Sequence, residues 1–267
     1  LFLARRLRHG KEHGLRLPER RGVSVAARPH GPLVWLHGAS VGELISVLPL
    51  IERIHAREVN LLVTSGTVTS SGLAEQRLPR GVIHQFVPID VPFFVRRFLD
   101  HWQPDLALFV ESELWPNIII ETSRRGVPMI LVNGRLSENS FRRWRYLPSS
   151  IGDLLGRLDL CLARTPADAE RLSELGAQHV ITTGDLKLDG PAPPANRGNL
   201  AALQRITAGR PLIAAASTHE GEEAAMIDAH QRLRATFANL LTLIVPRHPE
   251  RGVGVAEIAR AAGLNVK

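Results

Sequence analysis

Leu33-Val34-Trp35-Leu36-His37-Gly38-Ala39-Ser40-Val41-Gly42-Glu43-Leu44 is the stretch whose reading decides the fold. Leu33–His37 is a short, nearly continuous apolar run. Glycines and a serine follow, and then apolar residues at helical spacing: Leu44, Val47, Leu48, Ile51 and Ile54. A strand, a tight turn and an amphipathic helix make one βα unit. The rhythm recurs outward from it. Strands are expected at Asn60–Ser65, Val82–Pro88, Leu106–Glu111, Pro128–Asn133, Leu160–Arg164 and His179–Thr183, each followed by helical spacing or a helix-start signal. Pro92, Pro116 and Pro166 fall near first helical turns, where proline costs least. Continuous apolar strands separated by helices predict an α/β protein with a parallel sheet buried on both faces.

Residues 190–199, Gly-Pro-Ala-Pro-Pro-Ala-Asn-Arg-Gly-Asn, form the one long Pro/Gly/Asn-rich break and read as a linker. The expected organisation is a first domain over 1–189, with a basic lead segment at 1–30, then the linker, then the start of a second domain at 200–267. In that second part the rhythm restarts with Pro211–Ala216, a helix from about Glu220 to Phe237, Leu240–Val245 and a helix around Val255–Ala262. Leu264-Asn265-Val266-Lys267 reads as the beginning of a third strand. A compact domain of this kind needs on the order of 100 residues, so the second domain is expected to be incomplete.

The 267 residues are 44% hydrophobic and 22% charged, ordinary for a globular protein. The single cysteine, Cys161, excludes a disulfide framework within the chain and makes a cytoplasmic setting the default. No run approaches the roughly 20 apolar residues needed to cross a bilayer. The chain starts with Leu rather than Met, and a missing apolar N-terminal anchor is expected. The net charge of +7 calls for an anionic partner. Arg5, Arg6, Arg8, Lys11, Arg16, Arg20 and Arg21 crowd the lead segment, and Phe141-Arg142-Arg143-Trp144-Arg145-Tyr146 interleaves bases with aromatics. Either cluster is equally well read as a solvated helix face.

In open α/β sheets ligands bind beyond the carboxyl ends of the strands. At the first such junction Gly38 and Gly42 permit close backbone approach, and Glu43 is placed to act as a general base. Ser40-x-x-Glu43 is equally a capping box. Glu111-Ser112-Glu113-Leu114-Trp115-Pro116 puts two acids at a strand end; the plainer reading gives one acid to a helix dipole and Trp115 to the core. Lys187, in Gly184-Asp185-Leu186-Lys187, could neutralise an anion or be an ordinary exposed lysine. Ser217 and Thr218 at a helix start make a candidate anion site, although Ser217-x-x-Glu220 is again a capping box. Arg247 and His248 follow the next strand and suit a phosphate. There is no D-x-D pair, H-E-x-x-H or cysteine cluster, so no metal or cofactor is called for, and no G-x-S-x-G elbow.

Taken in order, Trp35 to Glu43, Thr64-Ser65-Gly66-Thr67, Pro88-Ile89-Asp90, Glu111 to Asn117, Asn133-Gly134-Arg135-Leu136-Ser137, Gly184 to Asp189, Ala216 to Glu223 and Pro246 to Arg251 resemble the 3-deoxy-manno-octulosonic acid (Kdo) transferase family. The resemblance implies a GT-B architecture, two Rossmann-like domains facing a cleft, acceptor on the first and donor on the second. It implies Kdo transfer from CMP-Kdo to a lipid A precursor with inversion, at the cytoplasmic face of the bacterial inner membrane. Carried over by position, Glu43 is the base, and Glu113 and Lys187 stabilise the transition state. Arg247 and His248, with Ser217, Thr218 and His219, meet CMP. Gly38, Ser40, Arg135, Arg142, Arg143 and Trp144 lie toward the acceptor or the membrane surface, with Phe141 and Tyr146 resting against lipid. Two rival readings are another GT-B enzyme acting on a UDP-sugar, such as an epimerase, and a basic Rossmann-like module that holds nucleic acid. The Kdo transferase reading assigns no nucleic-acid partner.

Overall fold

A computed structural model describes residues 2–189 and 195–266, which fall into two units, Leu1–Pro191 and Ala192–Lys267. In the first unit, helix α1 (Phe2–Arg8) and two 3-10 turns lead to strand β1 (Leu33–His37) and helix α2 (Val41–His55). Then come β2 (Asn60–Ser65), α3 (Val68–Arg77), β3 (Ile83–Phe86), α4 (Pro92–Trp102), β4 (Leu106–Val110) and α5 (Pro116–Ser123). The unit continues with β5 (Met129–Gly134), α6 (Glu138–Trp144), α7 (Pro148–Leu155), β6 (Leu160–Ala163), α8 (Pro166–Glu174) and β7 (Val180–Thr182). The helices start where local chemistry dictates. Ser40, Thr67, Ser137 and Thr165 each accept a first-turn N–H, and Pro92, Pro116, Pro148 and Pro166 occupy first turns.

All seven strands run parallel, in the order β3-β2-β1-β4-β5-β6-β7. The chain travels outward from β1 to β3, crosses back, and travels outward again from β4. The direction reverses between β1 and β4, the place in such a sheet where the loops after the strands part and a ligand crevice is expected. Alternate residues serve opposite faces. Trp35, Leu62, Phe109 and Leu131 enter one buried cluster, while Leu36, Val63, Val110 and Val132 enter the other. Gly66 lets two loops meet at the carboxyl edge. Its N–H donates to the Ala39 carbonyl at 2.9 Å, and a Cβ there would sit 3.0 Å from that oxygen.

The lead segment is structural more than it is a free basic arm. Arg20 is buried, bonds Glu12 at 2.9 Å, donates to the Val87 and Gly66 carbonyls and lies 4.7 Å over the Phe86 ring. Arg6 also pairs with Glu12, and Arg16 pairs with Glu19 at 2.8 Å, whose other oxygen caps the Phe86 N–H at 2.7 Å. These contacts fasten residues 12–22 along β3, the edge strand. Arg6, Arg16 and Arg20 therefore spend their charge inside the unit, which corrects the expectation that they attract an anionic surface.

The second unit holds α9 (Arg197–Thr207), β8 (Leu212–Thr218), α10 (Glu222–Leu233), β9 (Leu241–Pro246) and α11 (Gly252–Ala261), with β8 and β9 parallel. Three expectations change here. Of the linker at 190–199, residues 190–194 lie outside the described residues, while 197–199 already form the first turn of α9. The Asn196 side chain caps that helix through the Asn199 N–H, and Leu200, Leu203 and Ile206 supply helical spacing. Helix α10 begins at Glu222 because Gly221, at φ +92°, breaks the backbone path, so Ser217-x-x-Glu220 is not a capping box. Among the described residues Leu264–Val266 pair with no strand, and Lys267 lies outside them.

Arg20→Met leaves Glu12 to Arg6 alone and takes the donor from the Val87 and Gly66 carbonyls, so it should destabilise the first unit by about 2–4 kcal/mol. Arg142→Met, which deletes an exposed i,i+4 pair with Glu138, should cost less than about 1 kcal/mol. Urea denaturation of both variants checks the contrast.

Candidate active site

Glu43 reaches the crevice because its helix starts there. Ser40 Oγ accepts the Glu43 N–H at 3.3 Å, and the carboxylate folds back, accepting the Ser40 hydroxyl at 2.8 Å and the Ala39 N–H at 2.6 Å. Of the capping box read from the sequence only the serine half is present, because the Glu43 carboxylate turns to the Ala39 N–H and the Ser40 hydroxyl instead of the Ser40 N–H. Gly38 makes room, since a Cβ there would lie 3.3 Å from the Glu43 Cβ. The carboxyl is half-buried and its pKa is raised. Burial is the main cause, repulsion from Glu113 and Glu111 adds to it, and the bonds from Ser40 and Ala39 oppose it. Such a carboxyl binds a proton more readily than an ordinary glutamate, the direction a general base at neutral pH requires.

Glu111 and Glu113 come from the loop after β4, next to β1 in the sheet. Glu111 adopts a left-handed backbone, φ +58°, at a cost of about 1–3 kcal/mol. Its N–H is held by the Val132 carbonyl at 2.9 Å and its carbonyl receives the Arg135 N–H at 3.4 Å. Burial acts to raise the Glu113 pKa. It is outweighed by His37, 3.4 Å from Oε2, and by the indole N–H of Trp115, so the carboxyl sits below its ordinary value. Trp115 is 42% exposed and bonded to Glu113, which corrects its assignment to the core. Two neighbouring carboxyls are thus pushed in opposite directions.

Lys187 Nζ donates to Glu111 Oε1 at 3.0 Å. Its 3-10 turn is placed by Asp185, which accepts the Lys187 N–H, and by buried Asn133 (φ +54°), whose Oδ1 accepts the Leu186 N–H at 3.2 Å. The first unit therefore brings Glu43, Glu113 and Lys187 into one neighbourhood. It adds His37, which reading the sequence gave no role, and it gives Glu111, one of the two acids noted at that strand end, a partner in Lys187. Asp90, from the Pro88-Ile89-Asp90 motif, caps α5 through the Asn117 and Ile118 N–H groups.

Arg135, Arg142 and Arg143 are exposed, and Arg142 bonds Glu138 at 3.1 Å. The aromatics beside them do not form a lipid-facing set. Phe141 is buried in the core and Trp144 packs against the same core, while Tyr146 is 85% exposed beside Leu147.

In the second unit the loops after β8 and β9 adjoin. The Arg247 N–H donates to the Thr218 carbonyl at 3.0 Å, and the rings of His219 and His248 lie 6.5 Å apart. Thr218 is buried and donates to Glu223, which also accepts from Arg251 at 3.1 Å, while Ser217 is exposed at φ +61°. The five residues expected to meet a phosphate are thus neighbours on one edge. Among the described residues, no group of three or more His, Cys, Asp or Glu could hold a metal ion.

The sequence profile of 3-Deoxy-D-manno-octulosonic-acid transferase (kdotransferase) matches residues 15–190. The chain is 38% identical over 276 residues to the 3-deoxy-D-manno-octulosonic acid transferase of Bordetella pertussis, covering 99% of the chain and 64% of that protein. It is 34% identical over 235 residues to the one from Rickettsia felis, covering 87% of the chain and 50% of the relative. The chain thus spans about half to two thirds of the length of the relatives it matches. Among solved structures it resembles a glycosyltransferase from Rickettsia africae, TM-score 0.60 at 11% identity over 88% of this chain and 66% of that one. It also resembles the UDP-GlcNAc 2-epimerase of Neisseria meningitidis, TM-score 0.58 at 9% identity over 86% and 70%. These likenesses show the fold, an α/β GT-B-like architecture of Rossmann-like parallel sheets. With that fold and those sequence matches, the chain belongs to the 3-deoxy-D-manno-octulosonic acid transferase family of glycosyltransferases.

Proposed function

We propose that this protein transfers Kdo from CMP-Kdo to a hydroxyl of a lipid A precursor, with inversion and with Glu43 as general base. The observation that carries the reading is the raised pKa of Glu43 at the β1/β4 reversal, beside two further carboxylates and a lysine. Glu43 takes the acceptor hydroxyl proton as the oxygen bonds to the anomeric carbon of Kdo. The bond from that carbon to the CMP phosphate breaks on the opposite face, and its electron pair leaves with CMP. Positive charge develops on the sugar as this occurs, and ionised Glu113 offsets it. Lys187 supplies positive charge to the anionic donor. Arg247 and His248, with Ser217, Thr218 and His219, hold the CMP phosphate on the second unit. Gly38, Ser40 and Arg135 border the acceptor.

The acceptor is an anionic glycolipid, so the protein works at the cytoplasmic face of the inner membrane. Among the described residues no helix is long and apolar enough to cross a membrane. Arg142 and Arg143, exposed beside Tyr146, supply the attraction to an anionic surface, each basic residue contributing about 1 kcal/mol.

The test is transfer from CMP-Kdo, generated in situ, to a tetraacylated lipid A precursor. Glu43→Gln should lower kcat by about 10²–10⁴-fold. The variant should not be less stable. With a raised pKa, the stability that protonated Glu43 contributes is full below the ordinary value of 4.5 and is lost as pH rises through the raised one. Glu43→Gln should therefore unfold at or above the wild-type midpoint at neutral pH, the gap closing below pH 4.5. Wild-type transfer rates in a folded Glu43→Gln remove Glu43 as the base.

Charge reversal at Arg142 and Arg143 should weaken binding to anionic liposomes or raise the acceptor KM. Unchanged behaviour in both assays removes the surface role.

A further inference from the structure

Three β-sheet residues form a hydrogen-bonded line that ends at Glu113. Trp35 and His37 lie two apart on β1, so their side chains leave the same face, and Thr64 is the register partner of His37 on β2. The Trp35 indole N–H donates to Thr64 Oγ1 at 2.9 Å, which leaves the threonine hydroxyl proton for His37 Nδ1 at 3.0 Å; the Thr64 carbonyl is farther, 3.3 Å. With the Thr64 hydroxyl donating to Nδ1, the ring proton sits on Nε2, the tautomer on which the proposal below is built. The His37 side chain is wholly buried, and among the described residues Nε2 has no aligned hydrogen-bond partner. Glu113 Oε2 lies 3.4 Å from it. A buried donor without a partner is uncommon, and this one lies within reach of a carboxylate that a small shift would bring into line.

We propose that His37 is a positioning residue: held by Thr64 and Trp35, it orients the Glu113 carboxylate at the crevice. The Trp115 indole shares this task, and the charged groups nearby do not. Glu43 on α2 and Glu111 in the same loop carry like charge, and Lys187 is engaged by Glu111. Trp115 donates to the same Oε2 from the exposed side, so the indole and the imidazole grip one oxygen. Catalytic contacts are often long before substrate binds and tighten in the complex, and 3.4 Å leaves that room. Without His37, burial of Glu113 would go unopposed from the core side.

The kinetic part of the test rests on the proposed reaction; the structural part does not. In His37→Gln an amide N–H takes the place of Nε2 and still reaches Glu113, whereas in His37→Asn it takes the place of Nδ1 and reaches only Thr64. The Glu113 carboxyl is followed by carbon-13 NMR across pH in the wild type and both variants. His37→Asn should raise its titration midpoint by about one unit, and His37→Gln should leave it within about a third of a unit of the wild type. In the transfer assay His37→Asn should lower kcat about tenfold with little change in either KM, and His37→Gln should restore most of it. Thr64→Val, which leaves the ring in place and removes its anchor, should shift Glu113 in the same direction as His37→Asn and stands in if that variant does not fold. A Glu113 midpoint that is unmoved in His37→Asn and Thr64→Val, or moved equally in His37→Asn and His37→Gln, overturns the proposal. A shift of the expected pattern in a protein that transfers no Kdo overturns the reaction and leaves His37 as the residue that orients Glu113.

Discussion

Like charges held close together in a half-buried crevice are the constraint on which the rest of this structure depends. Glu43, Glu111 and Glu113 converge where the strand order reverses between β1 and β4, and each meets its neighbours' field differently. Glu111 is offset by Lys187, and Glu113 by His37 and the Trp115 indole. Among the described residues Glu43 is met by the Ser40 hydroxyl and the Ala39 N–H, and these do not overcome burial and repulsion. One carboxyl is thereby made proton-hungry beside another kept ionised. Pairs of titratable groups driven apart in this way are how sites assign base and electrostatic roles to chemically identical side chains.

Holding that arrangement demands rigidity around it. The strand end at Glu111 accepts a left-handed backbone, and Asn133, on the next strand, does the same while its side chain pins the turn that carries Lys187. Gly66 brings the β2 loop against Ala39, the residue whose N–H Glu43 uses. The lead segment completes the support from the sheet edge. Arg20 ties the Gly66 carbonyl to Glu12 and Val87, so a contact far along the chain steadies a loop that adjoins Glu43. Strain at the site is offset by the polar contacts that Arg20 makes at the sheet edge.

Much of this was legible from residue order because βα periodicity and helix-start chemistry are local. Leu33–His37 and Asn60–Ser65 fall on their strands residue for residue, and Ser40 with Glu43 declared both a cap and a candidate base. What escaped was set by pairing across the sheet. His37 matters through Thr64, 27 residues away, and Glu111 through Lys187, 76 away; neither spacing leaves a mark on a single sequence. The lead segment misled for a related reason. A run of arginines looks solvated until the partners Glu12 and Glu19, from the same short stretch, are seen to turn them inward. In the second unit, polar and proline-rich composition around 190–199 masked the start of α9, whose apolar spacing begins only at Leu200.

The most direct test of the central claim is the pH dependence of kcat/KM for Kdo transfer to a lipid A precursor. The acid limb reports the base in the free enzyme. The arrangement of Glu43 predicts a single limb whose apparent pKa lies above the ordinary 4.5 of a glutamate, and which vanishes from the residual activity of a Glu43→Gln protein. A limb at or below 4.5, or one that survives the substitution, would contradict the assignment of the base to the crowded carboxyl at the β1/β4 reversal.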